Sequence, residues 1–195
     1  MTLRFTTSGE SHGPAIIGVL EGFPAGVPLS LEDINAELER RQRGYGAGPR
    51  MKIETDQVTI LGGVMGGLTT GGPISLMIEN KDHSKWRGKP IEPMNVPRPG
   101  HADLTGAVKF GYSDLRPTLE RASARETAAR VAIGAICQQY LSEFGIKIGG
   151  YVAEIGGITA NLDNIPVEDR ANLAEQTDVR CPDKQAAEKI QARIK

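Results

Sequence analysis

Glycine clusters divide this chain into short segments and limit its fold more than any other feature. Of 195 residues, 24 are glycine, well above the usual share of about 7%, and no collagen-like period accounts for them. The glycines stand in short groups between apolar runs: Gly9 and Gly13, Gly44 with Gly46 and Gly48, Gly62–Gly63, Gly66–Gly67, Gly71–Gly72, Gly149–Gly150 and Gly156–Gly157. Such groups predict tight turns and places where the backbone approaches a ligand closely.

The composition is that of an ordinary globular protein, and we expect residues 1–195 to form a single domain. Hydrophobic residues make up 39% and charged residues 24% of the chain, and the formal net charge is −1. The longest apolar stretch, Val131 to Cys137, is much shorter than the roughly 20 residues of a membrane-spanning helix. The N-terminal residues show no secretory signal, and two cysteines predict neither a disulfide framework nor a metal site. These features indicate the cytoplasm.

Basic residues are concentrated in the middle of the chain. Between Arg40 and Arg125 there are 14 lysines and arginines against 8 acidic residues. A nearly neutral protein with a basic centre suits a small polyanion better than a nucleic acid, whose partners are usually strongly basic. The alternative is that these side chains form solvated faces, as most charged residues do.

Hydrophobic periodicity predicts alternating strands and helices. Strands are predicted over residues 3–7, 15–20, 57–61, 73–78 and 147–158. A helix is predicted from the cap Ser30 to between Arg41 and Gly44, and another over 183–195. The best-defined helix follows a capping box of Ser123 and Glu126 and ends before Gly145. One apolar stripe marks its buried side, which makes Cys137 a core residue and not a nucleophile: Ile133, Ile136, Cys137, Tyr140, Leu141 and Phe144.

Three groups of residues are candidates for chemistry. Five basic residues surround a glycine-rich turn and suit phosphate or carboxylate groups: Arg40, Arg41, Arg43, Arg50 and Lys52. Arg121 and Arg125 flank the start of the Ser123 helix, where an anion is favoured; alternatively, they pair with Glu120 or Glu126. His12 and His101 lie in loops beside glycines and are either structural or general acids.

The long proline-rich segment from Asn80 to His101 is expected to be functional, because loops of this length seldom lack a role in compact domains. Motifs of zinc proteases, nucleophile elbows and P-loops are absent from the sequence. The residues alone therefore predict an enzyme for a phosphorylated or polycarboxylated small molecule, with acid catalysis by histidine.

Three motifs give the sequence a specific resemblance. Gly9-Glu-Ser-His-Gly13, Arg98-Pro-Gly-His-Ala-Asp103 and the segment from Glu120 to Arg130 closely resemble the signatures of chorismate synthase. Shorter matches follow in family order: Arg40-Arg41-Gln42, Gly44-Tyr45-Gly46, Arg50 to Glu54 and Thr69-Thr70-Gly71. The resemblance covers essentially the whole chain.

The resemblance implies an activity and a fold. The family converts 5-enolpyruvylshikimate 3-phosphate to chorismate and phosphate by an anti 1,4-elimination that requires reduced FMN, and NADPH is a possible source of the electrons. Its α+β fold is a β-α-β sandwich, a helical layer between antiparallel sheets, and the family assembles as a homotetramer. No nucleic acid or membrane partner is implied.

The resemblance also implies roles for individual residues. His12 matches the histidine that assists departure of the phosphate, and His101 the one that protonates the reduced flavin. The FMN-binding triplet corresponds to Arg121, Ala122 and Ser123. Expected substrate contacts are Ser11, Arg41, Arg50 and Arg125, and Arg41 also matches an NADP position. The companion arginine of that motif should lie at position 47, where this chain has Ala47.

Family members are considerably longer, so the sequence is expected to be an N-terminal portion with an incomplete sandwich. The other half would carry further flavin-phosphate contacts and the acidic residue that acts with flavin N5. The alternative to a lyase is therefore a non-catalytic fragment that binds flavin or anions.

Overall fold

The computed structural model describes residues 2–46 and 55–195, which fall into two compact units. The first unit comprises the described residues of 1–40 and 49–140, and the second those of 41–48 and 141–195. Both contain helices and antiparallel strands. Within the described ranges, no helix is long and apolar enough to cross a membrane.

The first unit is built on two antiparallel sheets. The larger has the strand order β1-β2-β7-β4, and the smaller has the order β3-β6-β5. The seven strands are β1 Arg4–Ser8, β2 Ala15–Glu21, β3 Ala25–Pro28, β4 Val58–Gly62, β5 Val64–Met65, β6 Leu68–Thr70 and β7 Ile74–Glu79. The four strands of the larger sheet are those predicted from periodicity, displaced by about one residue. The three strands of the smaller sheet were not predicted.

Buried and less buried side chains alternate along the central strands, and the buried ones form the core. In β2 and β7 every second side chain is buried, and Ile16 lies opposite Ile78 while Leu20 lies opposite Ile74. Because side chains alternate between the faces of a strand, this register places all four on one face. Two helices, α1 (Leu31–Gln42) and α4 (Thr127–Ser142), contribute to the same hydrophobic cluster.

Helix α1 confirms its predicted bounds, whereas the start of α4 differs from the prediction. Ser123 caps only a short 3₁₀ helix, Ala124–Glu126, by accepting a hydrogen bond from the Arg125 amide. Glu126 does not complete a capping box, because its carboxylate accepts hydrogen bonds from Thr7 and Arg130. At the other end Gly145 has φ +71°, as expected of a helix-terminating glycine, and the stripe residue Phe144 is exposed.

Two further α-helices of the first unit, and a 3₁₀ helix over Lys81–Lys85, were not predicted. Helix α2 (Asp103–Phe110) and helix α3 (Arg116–Arg121) follow the proline-rich segment. They approach each other at Gly106, where a Cβ atom would lie only 2.3 Å from Cγ2 of Thr118. Any larger residue at position 106 would therefore separate the two helices. Helix α3 matters for function because it carries Glu120 and Arg121.

The second unit is a small α+β cluster. Its hairpin consists of β8 (Glu154–Ile155) and β9 (Ile158–Thr159), and its helices are α5 (Val167–Ala174) and α6 (Lys184–Ile194). Helix α6 confirms the prediction for 183–195. Its core consists of small and aliphatic residues: Ala160, Val179, Cys181, Ala186, Ala187 and Ile190.

The predicted strand over 147–158 is wrong for most of its length. Only Glu154–Ile155 and the first residue of β9 are in strand conformation. Gly149 and Gly150 have no side chains to pack across a strand pair. Gly149 instead lies so close to helix α5 that a Cβ atom would be 2.5 Å from that of Ala171.

We expect Asp183→Ala to lower the free energy of unfolding by about 1 kcal/mol. The Asp183 carboxylate caps α6 by accepting from the amides of Gln185 (2.9 Å) and Ala186 (3.2 Å), and also accepts from the Asn161 amide at 2.9 Å. Urea denaturation at neutral pH measures the loss. Glu188→Ala, an exposed change in the middle of the same helix, is the control, and an equal loss in both variants would contradict a capping role.

Candidate functional site

His12 is held by a buried carboxylate from a distant part of the chain. Its ring Nδ1 lies 2.9 Å from each carboxylate oxygen of Glu120, and its backbone amide donates to Oε2 of Glu120 at 2.9 Å. The Glu120 side chain is 8% exposed, whereas that of His12 is 21% exposed. The ring is therefore anchored on one nitrogen and still reaches solvent.

The loop that carries His12 depends on a glycine at its start. Gly9 has φ +109°, and a Cβ atom there would lie 2.4 Å from the carbonyl oxygen of Ala15. The turn brings Ser11 to α3, where its amide donates to the backbone oxygen of Glu120 at 3.0 Å. The hydroxyls of Ser11 and Ser123 are joined by a hydrogen bond of 2.9 Å. Three predicted site residues, Ser11, His12 and Ser123, thus belong to one cluster.

The segment predicted to be functional contributes two residues to this cluster. The Trp86 ring lies 4.4 Å from the ring of His12, centre to centre, and tilted by 49°. Nδ1 of His83 lies 2.8 Å from the backbone oxygen of His12. His83 also lines a cavity of about 530 Å³ together with Lys81 and Arg87. The segment therefore contacts His12, and its basic side chains line the cavity beside it.

The second predicted histidine, His101, lies in the turn that precedes α2. It is exposed, and its backbone amide donates to the backbone oxygen of Arg98 at 3.3 Å. The turn is fixed by Asp103, which accepts from Nε and Nη2 of Arg98 at 2.9 Å each. This hydrogen bonding from Arg98 lowers the pKa of the Asp103 carboxyl to about 2, although burial opposes the shift. The pKa of Arg98 is raised, first by the hydrogen bond to Asp103 and to a smaller extent by the charge of Glu120.

Arg125 is engaged almost completely by the protein itself. Its side chain is 4% exposed, and it forms an ion pair with Asp56, whose side chain is 0% exposed. Its Nε donates to Asn80 Oδ1 at 2.6 Å and its Nη2 to the backbone oxygen of Glu79 at 2.9 Å. The structure thus assigns Arg125 to a buried network, and a contact of this residue with substrate stays a prediction.

The remaining predicted site residues are in different surroundings. Arg121 donates from Nη2 to the backbone oxygen and hydroxyl of Thr7 at 2.8 and 2.7 Å, and its side chain is 42% exposed. The adjacent Ala122 is exposed. Arg41 is half-buried at the end of α1 and belongs to the second unit. Arg50 and Ala47 lie outside the described residues.

Comparison with known proteins identifies the family to which this arrangement belongs. The sequence model of the family described as "Chorismate synthase" matches residues 3–195. The chain belongs to the chorismate synthase family. The match includes all three motifs that the sequence resemblance rested on, and it confirms that resemblance.

Curated chorismate synthases show how much of a relative this chain covers. It is 47% identical over 203 residues to the chorismate synthase of Brevibacillus brevis, covering 98% of this chain and 52% of the relative. It is 50% identical over 196 residues to that of Caldicellulosiruptor saccharolyticus, covering 94% of this chain and 51% of the relative. The chain thus spans about half the length of these curated relatives.

A solved structure confirms the fold class. A crystal structure of chorismate synthase aligns with all of this chain and 52% of its own, with a TM-score of 0.79 and 43% sequence identity. The predicted α+β fold of the chorismate synthase type, incomplete in this chain, is therefore confirmed.

Sequence reasoning missed the residue that anchors His12. The sequence offered Glu120 as an alternative partner of the neighbouring arginines and as the first residue of the third motif, but its carboxylate accepts from the His12 amide and lies 2.9 Å from Nδ1 of the His12 ring. No spacing in the sequence indicated this contact, since Glu120 and His12 are 108 residues apart, and the position of Glu120 four residues after Arg116 indicates only their ion pair at 3.8 Å. Asp56, the partner of Arg125, had no sequence signal.

We expect Asp103→Asn to destabilise the protein by about 1 kcal/mol near pH 7, since the partner Arg98 is 37% exposed and water screens the pair. The folded-state pKa of about 2 lies below the ordinary value of 3.8. The carboxylate therefore stabilises the fold above about pH 4, and this contribution is lost as the pH falls toward 2.

Chemical denaturation of both forms between pH 2 and 7 tests this expectation. The difference between wild type and Asp103→Asn should shrink at the acidic end. A difference that stayed constant over this range would mean that the charge of Asp103 is not what stabilises the turn.

Proposed function

We propose that this chain supplies the half of a chorismate synthase that assists phosphate departure from 5-enolpyruvylshikimate 3-phosphate. The observation that carries the proposal is the cluster of His12, Glu120, Ser11 and Ser123 in a member of this family. The reaction removes phosphate and a ring proton in an anti 1,4-elimination and yields chorismate. It belongs to the shikimate pathway that supplies aromatic amino acids.

His12 is suited to the departing phosphate. A phosphate group leaves more easily when a general acid protonates or hydrogen-bonds it as the bond breaks. With Nδ1 anchored on Glu120, Nε2 is the ring nitrogen that can carry the proton to the phosphate. Ser11 is 2% exposed, and its hydroxyl, which accepts from Ser123, is a supporting polar group beside His12.

The residues predicted to hold FMN fit an anionic, planar cofactor. Exposed Ala122 offers a small surface between Arg121, whose side chain is 42% exposed, and the polar Ser123. The Arg121 guanidinium supplies donors for carbonyl or phosphate oxygens of such a group, whereas the Ser123 hydroxyl donates its proton to Ser11. Reduced FMN, when bound, supplies the electron-rich flavin that the elimination requires. His101, exposed in the turn before α2, would supply the proton for the reduced flavin.

Cationic side chains near the cluster favour a substrate with phosphate and carboxylate groups. Arg116 lies 3.8 Å from Glu120, and Arg98, in the turn before α2, is 37% exposed. We propose Arg41, Arg50 and Arg125 as further substrate contacts. NADPH, bound at Arg41, is the proposed source of electrons for the flavin. The same proposal includes a homotetramer, which the family resemblance implies. It also includes a cytoplasmic location, because a chain with only two cysteines has no disulfide framework.

The test mixes this chain with the part of a curated relative to which this chain has no counterpart; we call the mixture the completed enzyme. The 195-residue chain, alone and mixed with the remaining part of the Brevibacillus brevis protein, is supplied with reduced FMN and 5-enolpyruvylshikimate 3-phosphate. Equal release of phosphate and chorismate by the mixture supports the proposal. Binding of flavin without turnover in the mixture would favour the alternative, a non-catalytic binding fragment.

A further inference from the structure

Glu120 is a buried acid to which the proposed function assigns no step. Its residue is 7% exposed, and its two carboxylate oxygens both lie 2.9 Å from Nδ1 of His12. One of them also accepts from the His12 amide. Three contacts from one carboxylate to one residue, across 108 positions of sequence, need a reason beyond the packing of α3.

We propose that Glu120 is the positioning residue of His12, which it holds with a proton on Nδ1 so that Nε2 carries the transferable proton. The inference rests on the proposed function of His12. An ionised carboxylate only accepts hydrogen bonds, so the ring nitrogen facing it must be a donor. The bond to the backbone amide fixes where the carboxylate lies, and Trp86 at 4.4 Å limits rotation of the ring.

The arrangement determines the path of the proton. In the imidazolium form both nitrogens carry protons, and the one on Nδ1 remains bonded to Glu120. The Nε2–H bond breaks as an O–H bond forms on the departing phosphate, and the ring becomes a neutral imidazole that is still protonated on Nδ1. Without Glu120 the neutral ring would be free to hold its proton on Nε2, and its orientation would no longer be fixed.

Replacement of Glu120 by glutamine makes the inference testable in an unusual way. The His12 amide can only donate, so the glutamine oxygen takes the position of Oε2 and the NH₂ group that of Oε1. Both positions lie 2.9 Å from Nδ1, so the ring nitrogen then faces one donor and one acceptor where the carboxylate offered two acceptors. Because a ring nitrogen that receives a hydrogen bond must be unprotonated, Glu120→Gln is expected to raise the population of the neutral ring that holds its proton on Nε2, with almost no change in side-chain shape.

The experiment is nitrogen NMR of the 195-residue chain labelled with ¹⁵N-histidine, at a pH where the His12 ring is neutral. The chain has three histidines, so variants His83→Gln and His101→Gln assign the signals. We expect wild-type His12 to be protonated on Nδ1, and Glu120→Gln and Glu120→Ala to shift the population to Nε2. Glu126→Ala, which removes the other acid of the same segment, should leave the His12 tautomer unchanged.

The outcomes separate this inference from the proposed function. A wild-type ring protonated on Nε2, or a tautomer unaffected by both Glu120 variants, would overturn the positioning role whether or not the protein is active. In the completed enzyme, Glu120→Gln should lower kcat between about 10-fold and 10⁴-fold, the range for carboxylates that orient a histidine, with KM nearly unchanged. The double variant His12→Ala/Glu120→Gln should be no slower than His12→Ala alone, because Glu120 acts through His12.

Discussion

Arg125→Ala is expected to lower the free energy of unfolding by about 3–5 kcal/mol, because it removes the buried guanidinium that pairs with the buried carboxylate of Asp56. Asp56 has no side-chain exposure and Arg125 only 4%. The substitution also removes hydrogen bonds to Asn80 and to the backbone of Glu79, at the end of β7. A loss of this size is a large part of the stability of an ordinary domain.

Urea denaturation of the 195-residue chain measures the effect, with two comparison variants. Arg130→Ala removes an arginine that is 53% exposed and pairs with Glu126, so we expect a loss of at most about 1 kcal/mol. Arg125→Lys keeps the charge beside Asp56 but loses the forked geometry of the guanidinium. Its loss of unfolding free energy should lie between the losses of Arg125→Ala and Arg130→Ala.

The same variant distinguishes a structural from a ligand-binding role of Arg125. If Arg125 acted only as a substrate contact, Arg125→Ala would keep the wild-type urea midpoint and lose affinity for the shikimate ester. If the buried network is its role, the midpoint falls whether or not substrate is present. The two roles coexist if the conservative Arg125→Lys folds and still binds the ester weakly.

The sheet and its two packed helices were predictable because their patterns are local. Ile16 and Leu20 alternate with less buried residues as a half-buried strand requires, and Ile34 and Leu38 recur at helical spacing after the cap Ser30. Helix α2 was not predictable in the same way. Its Leu104 and Val108 are exposed in this chain, so its apolar pattern does not mark a buried face, and prolines and glycines precede it.

The chemistry of the site was predictable only as separate motifs. The sequence identified Ser11, His12 and Ser123 but could not place them together, since Ser11 and Ser123 are 112 residues apart and meet through tertiary packing. The partner of each titratable group depends on the same packing. Glu120 had nearby arginines in the sequence, but the fold pairs it with His12, and Asp56 has no sequence neighbour that would suggest Arg125.

The completed enzyme should lose turnover by about 10²–10⁴ when His12 is replaced by alanine, the usual range for a missing general acid. We expect His101→Ala to cause a loss in the same range, because this exposed histidine is predicted to protonate the reduced flavin. Substrate affinity should change little in either variant, since each histidine contributes to the chemical step more than to binding. Steady-state formation of chorismate with saturating reduced FMN gives kcat and KM separately.

Two further observations assign the losses to the correct histidine. Lys189→Ala, a surface change in α6, should leave turnover at the wild-type level and so exclude a general effect of substitution. Because an acid at the phosphate is needed only when its leaving group is basic, a substrate analogue with a better leaving group should restore His12→Ala more than His101→Ala. Turnover near the wild-type rate in both histidine variants would show that neither residue is a general acid, and the anchoring of His12 by Glu120 would then be structural.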